Sequence, residues 1–395
     1  MLAALAGNVA APSLIRTVEK AATLTAPAKK KLGPPLLEWP TLTALGQAMV
    51  DKKLTPGLSL SVMSAGVLLY SKGFGLANIE ANAAATPQTE FRVASITKQF
   101  TAAAVLLLAE GGLLTLDDTL AKFLPAFPRA EKITLRQLLS HTSGMGDYIN
   151  GQASSILTEA QTRDYTSEEL ISIITARQPL YRAQPGAAWL YSNSAFALLG
   201  IVVEKLSGMA YADFCAQHLF TPAGLSQTSI AKTCTTTAIC NGYRPNFRAP
   251  TKYDLAMPIS PSFAGGAGAI RSTTEDLCLW HCALLDGKVL KPESLQAMLT
   301  PTLLKNGKPA YERQGEDPLE YGLGQGLGTM KNLKLAAHGG RINGFTGHLR
   351  SFTDSKLTVA ILYNSDGGGA PGFSEAQKRL KTEASRLGID HLGLT

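Results

Sequence analysis

The sequence predicts an α+β protein: an antiparallel sheet flanked by helices, built from both ends of the chain, with an all-helical domain inserted between. Two observations carry this. Alternating, β-rich runs joined by turn residues lie at Pro56–Val62 and Val67–Phe74, and again at Gly347–Thr353 and Lys356–Tyr363. From Leu113 to about Ser262 the pattern is mostly helical. One sheet assembled from both termini and covered by helices is the economical solution. It divides the chain into a tail or linker at residues 1–38, a discontinuous sheet domain at 39–112 and 265–395, and a helical domain at 113–264.

The elements follow in order. The first two runs meet at Ser64-Ala65-Gly66 and read as a hairpin. Ile96–Glu110 is rich in Ala and Leu and stops at Gly111-Gly112, so it reads as a helix. Helical character continues at Leu116–Phe123, Leu135–Leu139, Ser167–Ala176, Ser194–Leu206 and Tyr211–Leu219. Strand character returns with Gly265-Gly266-Ala267-Gly268-Ala269-Ile270, which leads into a helix at Thr273–Leu285 whose Thr and acidic residues suit an N-terminal cap. The last two β runs turn at Asp354-Ser355, and a helix near Ser374–Leu387 closes the chain.

Composition excludes several classes. With 395 residues there is room for two or three domains of roughly 150 residues. A 45% hydrophobic, 17% charged chain is not intrinsically disordered. The longest apolar runs, near Ala102–Ala109 and Ala195–Val203, fall well short of the roughly 20 residues a spanning helix needs, so no integral membrane segment is expected. The net charge of +7 is mild, and the dense run Lys29-Lys30-Lys31 sits in the linker without interleaved aromatics, which argues against nucleic acid as a partner. Five cysteines make no disulfide framework, although Cys234 and Cys240 are close enough to close a small loop. Cys278, His281 and Cys282 share a helix face, but too few ligands gather there for a zinc site, so no metal is expected. The apolar start Met1–Ala6 has no positive n-region and shows no clear signal peptide.

Three motifs carry chemistry. Ser95-Ile96-Thr97-Lys98 opens the Ala/Leu helix, and i, i+3 spacing places both side chains on one face. The helix N-terminus and burial depress a lysine pKa there, and a neutral lysine can take the serine proton. Tyr191-Ser192-Asn193 precedes another helix, offering a phenol to move protons and an amide to orient substrate. His338-Gly339-Gly340-Arg341 stands ahead of the terminal hairpin, where glycines admit close backbone approach and a free strand-edge N–H can polarise a carbonyl. Each has an innocent alternative: a solvated Ser and Lys, a capping turn, a surface histidine. Two look-alikes, Ser229-Ile230-Ala231-Lys232 and Tyr148-Ile149-Asn150, show how loose the single motifs are.

Taken in this order, the motifs resemble the serine β-lactamase and penicillin-binding protein superfamily, in its β-lactamase-related branch of class C β-lactamases, D,D-carboxypeptidases, D-aminopeptidases and family VIII carboxylesterases. The resemblance runs from about Leu54 to Asp366. It includes Phe91-Arg92-Val93-Ala94, Gly112–Asp118, Leu138–Gly144 with its His141-Thr142-Ser143-Gly144, Gln184-Pro185-Gly186, Gly265-Gly266 with Ser272-Thr273, and Gly344-Phe345.

The resemblance implies a β-lactamase/transpeptidase-like fold with the site in the cleft between sheet and helical domains. It implies Ser95 as acylated nucleophile, Lys98 as its base and Tyr191 as proton relay. Asn193, Gly339, Gly340 and Arg341 would bind substrate, with the N–H groups of Ser95 and Arg341 as oxyanion hole. His141 would belong to a loop packed beneath the site. His338 stands where many relatives carry the Lys of Lys-Thr-Gly, which disfavours efficient β-lactam hydrolysis and fits D-aminopeptidase-type peptidases or esterases better. The implied activity is ester or amide hydrolysis through an acyl-enzyme, on a small-molecule or peptide substrate and without cofactor. β-Lactamase, acyltransferase and non-turnover penicillin-binding sensor are the alternatives. The family is often exported, implying a periplasmic or extracellular location. Specificity is expected to come from Gly146–Arg163, Thr233–Asp254 and Leu304–Leu319.

Overall fold

The computed structural model describes residues 36–149, 154–233, 240–246, 248–249, 252–312, 319–368 and 370–394. Strands β1 (Gly57–Ser64) and β2 (Val67–Asn78) turn through Ala65 and Gly66, both at positive φ. They are followed by β3 (Ala83–Ala84) and β4 (Phe91–Arg92). The middle of the chain adds only short strands: β5 (Ser229–Ile230), β6 (Tyr243–Pro245), β7 (Tyr253–Leu255) and β8 (Ile270–Ser272). The C-terminal part supplies β9 (Tyr311–Glu312), β10 (Leu319–Tyr321), β11 (Gly326–Met330), β12 (Leu333–Ile342), β13 (Phe345–Phe352) and β14 (Leu357–Tyr363).

Both ends of the chain meet in one nine-stranded antiparallel sheet, ordered β3-β2-β1-β14-β13-β12-β11-β10-β9. The joint is β1 against β14, with Leu58 opposite Tyr363 and Ser64 opposite Leu357. Every residue of β1 and of β14 is buried, because helices cover both faces of the sheet. On one face, Leu58, Leu60, Val62, Phe352 and Ile361 join residues of helices Pro40–Asp51 and Phe373–His391 in one apolar cluster. On the other, a larger cluster joins helices Thr97–Glu110, Asn193–Ser207 and Thr274–Leu285, with Phe100 stacked on Trp280 at 4.0 Å. Full burial of each such Leu, Ile or Phe side chain is worth about 1.5–3 kcal/mol. Two helices carry capping boxes: Leu135–Leu139 through Thr134 and Gln137, and Ser167–Thr175 through Thr166 and Glu169.

Two expectations are corrected. Leu116–Phe123 forms only a 3₁₀ turn at Leu120–Lys122, because Thr119 bridges Thr134 and Leu120 N–H is taken by the Ile133 carbonyl. Tyr211–Leu219 is helical as expected, α-helical to Cys215 and π-helical over Ala216–Phe220. The glycines of 265–268 lie in a kinked helix, Pro261–Gly268, and strand character is confined to β8 after them. Gly265 sits at φ +48°, and a Cβ on Gly266 would lie 2.5 Å from the Phe196 carbonyl oxygen, so these glycines allow close packing on helix Asn193–Ser207. Residues 1–35, Cys234 and Asn150 lie outside the described residues, and with them most of the tail, the Cys234–Cys240 question and part of one look-alike. Among the described residues, no single helix is long and apolar enough to cross a membrane.

Candidate active site

The site starts from a tight backbone. Ala94 adopts φ +49°, which is uncommon for a residue with a Cβ, and the 3₁₀ turn Ala94–Ile96 feeds helix Thr97–Glu110. Strand β12 presses on this turn. A Cβ on Gly340 would lie 2.1 Å from the Val93 carbonyl oxygen and 3.2 Å from the Ser95 nitrogen, so only glycine fits there. Ser95 is half-buried at the cleft, while the helix behind it is buried from Thr97 to Leu106.

Lys98 has no exposed surface. Its Nζ lies 3.0 Å from Ser95 Oγ, 2.8 Å from Asn193 Oδ1 and 2.9 Å from the Ala267 carbonyl oxygen. Burial lowers its pKa to about 7, against the pull of the Asp147 and Glu312 carboxylates. A neutral amine has two N–H donors and one lone pair. Asn193 and Ala267 offer only acceptors, so they use both donors and leave the lone pair facing the Ser95 hydroxyl. The same three contacts suit the ammonium form, which has three donors.

Tyr191 Oη donates to Ser95 Oγ at 2.7 Å. Burial raises its pKa well above the ordinary range, so it stays a neutral phenol. Its ring lies 4.7 Å from Lys98 Nζ and 4.4 Å from the His141 ring. His141 is buried at φ +58°, and its Nδ1 accepts the Ser192 N–H at 3.2 Å. Burial, with Lys98 and His338 nearby, holds His141 well below the usual histidine range, so it is a neutral wall rather than a base. Asn193 opens its helix after Ser192, whose hydroxyl caps the Ala195 N–H. The Asn193 amide donates to Asp147 Oδ2 at 2.8 Å, which fixes which end of the amide meets Lys98.

The third side of the site follows from strand register. Ile342 and Phe345 flank a two-residue turn, so they form a hydrogen-bonded pair and Arg341–Thr346 and Gly339–His348 do not. The N–H groups of Gly339 and Arg341 therefore point away from β13. Strand β11 ends opposite Ala337, leaving that edge open beside the Ser95 turn. Arg341 itself is exposed, and Gly339 is exposed while Gly340 is buried. His338 is buried between the Tyr321 hydroxyl, 3.1 Å from Nε2, and the Gly339 carbonyl, 2.5 Å from Nδ1. A carbonyl only accepts, so Nδ1 carries the proton and Nε2 accepts from Tyr321. Burial, with Lys98 close by, lowers its pKa to about 3.

The structure thus brings Ser95, Lys98, Tyr191 and Asn193 into direct contact and sets His338, Gly339, Gly340 and Arg341 on the adjoining strand. The look-alikes stand elsewhere: Ser229 is exposed on β5, with Lys232 paired to Asp213, and buried Tyr148 bonds the Phe263 carbonyl. Two residues were missed: Asp147, which bonds Asn193, and Tyr321, which bonds His338. A carboxylate directly before a Tyr-x-Asn look-alike and a tyrosine on a three-residue strand leave no motif. Beside Tyr191 lies a cavity of about 590 Å³. It is lined in part by Gly146 and Asp147 and by Leu304, Lys308 and Tyr311, from two of the three segments expected to set specificity.

A buried serine-lysine-tyrosine cluster beside an antiparallel sheet is the arrangement of a β-lactamase-type site. The comparisons agree. The Beta-lactamase family model matches residues 42–384, and the chain belongs to that family, within the serine β-lactamase and penicillin-binding protein superfamily. A penicillin-binding protein of Bacillus subtilis is 27% identical over 82% of this chain and 71% of its own length. The D-aminopeptidase of Brucella ovis is 24% identical over 85% of this chain and 61% of its own. Among solved structures, a D-stereospecific amidohydrolase from Streptomyces sp. superposes with a TM-score of 0.66 at 26% identity, covering 85% of this chain and 97% of that one.

Proposed function

We propose that the chain hydrolyses amide or ester bonds through an acyl-enzyme on Ser95. The observation that carries this is buried Lys98 Nζ, 3.0 Å from Ser95 Oγ and anchored by Asn193 Oδ1 and the Ala267 carbonyl. Lys98 takes the Ser95 proton as Oγ attacks the carbonyl carbon. The oxyanion forms against the N–H of Ser95, in a helix-initiating turn, and that of Arg341 on the open strand edge. Collapse expels the amine or alkoxide, which receives the Tyr191 proton, and the Lys98 ammonium resupplies the phenol. Water then attacks the acyl-enzyme, and the same pair carries its protons to release the acid and free Ser95.

Amide substrates are favoured. Two relatives are named for D-amino-acyl or D-stereospecific amide chemistry, and His338 is neutral, so it offers no fixed cation for a β-lactam carboxylate. The test is a panel of a p-nitrophenyl ester, a D-amino-acid p-nitroanilide and a chromogenic cephalosporin, on wild type and Ser95→Ala. Ser95-dependent turnover of ester or anilide supports the reading. Turnover of the cephalosporin alone, or turnover that survives Ser95→Ala, contradicts it.

A further inference from the structure

We propose that His141 is the positioning residue for Tyr191: it clasps the chain on both sides of the tyrosine and so holds the phenol on Ser95 Oγ. This rests on the acyl-enzyme reading above. The clasp has three parts. The His141 carbonyl accepts the Leu190 N–H at 2.8 Å, and its Nδ1 accepts the Ser192 N–H at 3.2 Å. Its ring lies against the Tyr191 ring, with 4.4 Å between centroids. The N–H groups before and after Tyr191 are thus tied to one residue, so the backbone cannot turn there without breaking a bond. The phenol donates to Ser95 Oγ at 2.7 Å, and a shift of about 1 Å carries a proton donor out of hydrogen-bond range.

The clasp is itself fixed. His141 follows the capped helix Leu135–Leu139, and the Thr142 N–H returns to the Gln137 carbonyl at 2.9 Å. Beyond it, the Thr142 carbonyl accepts the Gly186 N–H at 2.7 Å, and the Gly146 carbonyl accepts the Ser192 hydroxyl at 2.9 Å. His141 sits at φ +58°, a region that histidine and asparagine enter more readily than most side chains. The imidazole is not explained by packing alone. Ser192 is buried, so its N–H needs an acceptor. An Nδ1 that accepts carries no proton, which puts the proton of the neutral ring on Nε2. Nε2 is buried and meets no partner among the described residues. An unpaired buried donor costs about 1–3 kcal/mol, which a carbocyclic ring in the same place would avoid. What the imidazole adds is the Nδ1 lone pair on Ser192.

The experiment measures kcat and KM for D-alanine p-nitroanilide and for p-nitrophenyl acetate. His141→Gly keeps the left-handed backbone and removes both the acceptor and the ring. Its kcat on the anilide should fall about 10–10²-fold, the scale of a misplaced reacting group, with KM little changed and a smaller loss on the ester. His141→Asn, whose Oδ1 stands where Nδ1 stood, should recover part of that loss. In a Tyr191→Phe background His141→Gly should cost little more on the anilide, because the group it positions is gone. A purely structural role would lower both substrates alike and add its loss to that of Tyr191→Phe. In wild type, ¹⁵N spectra should show a neutral His141 with Nε2 protonated and Nδ1 accepting, a test that needs no variant to fold. A protonated Nδ1, a His141→Asn no better than His141→Gly, or fully additive losses in the double variant overturns the proposal. Turnover that survives Ser95→Ala strikes the parent reading instead.

Discussion

Asn193 Oδ1 accepts from Lys98 Nζ at 2.8 Å, while its other end is tied to Asp147. This orients the lysine without giving it a partner that takes up its charge directly. Asp147 acts on Lys98 through space and pulls its pKa up, against the larger effect of burial. With Lys98 as base, kcat/KM rises with pH until the amine is neutral, with a midpoint near about 7. Below it, activity falls about tenfold per pH unit. Asp147→Asn removes the upward pull, so the limb should move to lower pH. A pH profile of both proteins checks this; an unmoved or upward-moved limb contradicts it.

Tyr191 stays protonated across the working range, since burial pushes its pKa far up. In the proposed mechanism it gives a proton to the leaving group. Tyr191→Phe should cost about 10²–10⁴-fold in kcat. The loss should be smaller on p-nitrophenyl esters, whose leaving group needs no proton, than on unactivated amides. Equal losses on both would remove the proton-donor role.

Gly340→Ala tests the approach of β12 to the nucleophile turn. The added Cβ would meet the Val93 carbonyl oxygen at 2.1 Å, and backbone on both sides must give way. We expect about 1–3 kcal/mol of destabilisation, as for other overpacked sites. Turnover should fall with it, because the Ser95 and Arg341 N–H groups separate. Gly339→Ala, whose Cβ meets nothing closer than 3.8 Å, is the control by thermal melt and kcat.

His338 at a pKa of about 3 is uncharged at neutral pH. A chromogenic cephalosporin should therefore be turned over at least about tenfold less efficiently than the preferred amide or ester, for want of a charge-assisted hydrogen bond. A cephalosporin kcat/KM above both would reverse that ranking.

The sheet ends and the Ser95–Lys98 pair were legible because they are local: a two-residue alternation, and i, i+3 spacing at a helix start. Tyr191 was separable from Tyr148 only through the surrounding segments of the resemblance, since both precede an Asn by two residues. Asp147 and Tyr321 were not legible. They reach the site through tertiary placement of a loop and of short strand β10, which carry no period of their own. The His338 segment looked like a possible turn because of its glycines; it is the end of ten-residue β12, and its glycines serve contact with Val93 and Ser95. Helix Pro40–Asp51 was not foreseen, and Leu116–Phe123 shows local helical pattern losing to pairing with residues 133–135.

The central claim is a covalent acyl group on Ser95. The direct measurement is acid-quenched intact mass with peptide mapping during turnover of a slow ester, on wild type, Ser95→Ala and Ser229→Ala. One acyl adduct mapped to Ser95 is expected in wild type and in Ser229→Ala. In Ser95→Ala no adduct is expected, with a loss of activity on the order of 10⁴-fold or more. An adduct on another residue, or full turnover by Ser95→Ala, would contradict it.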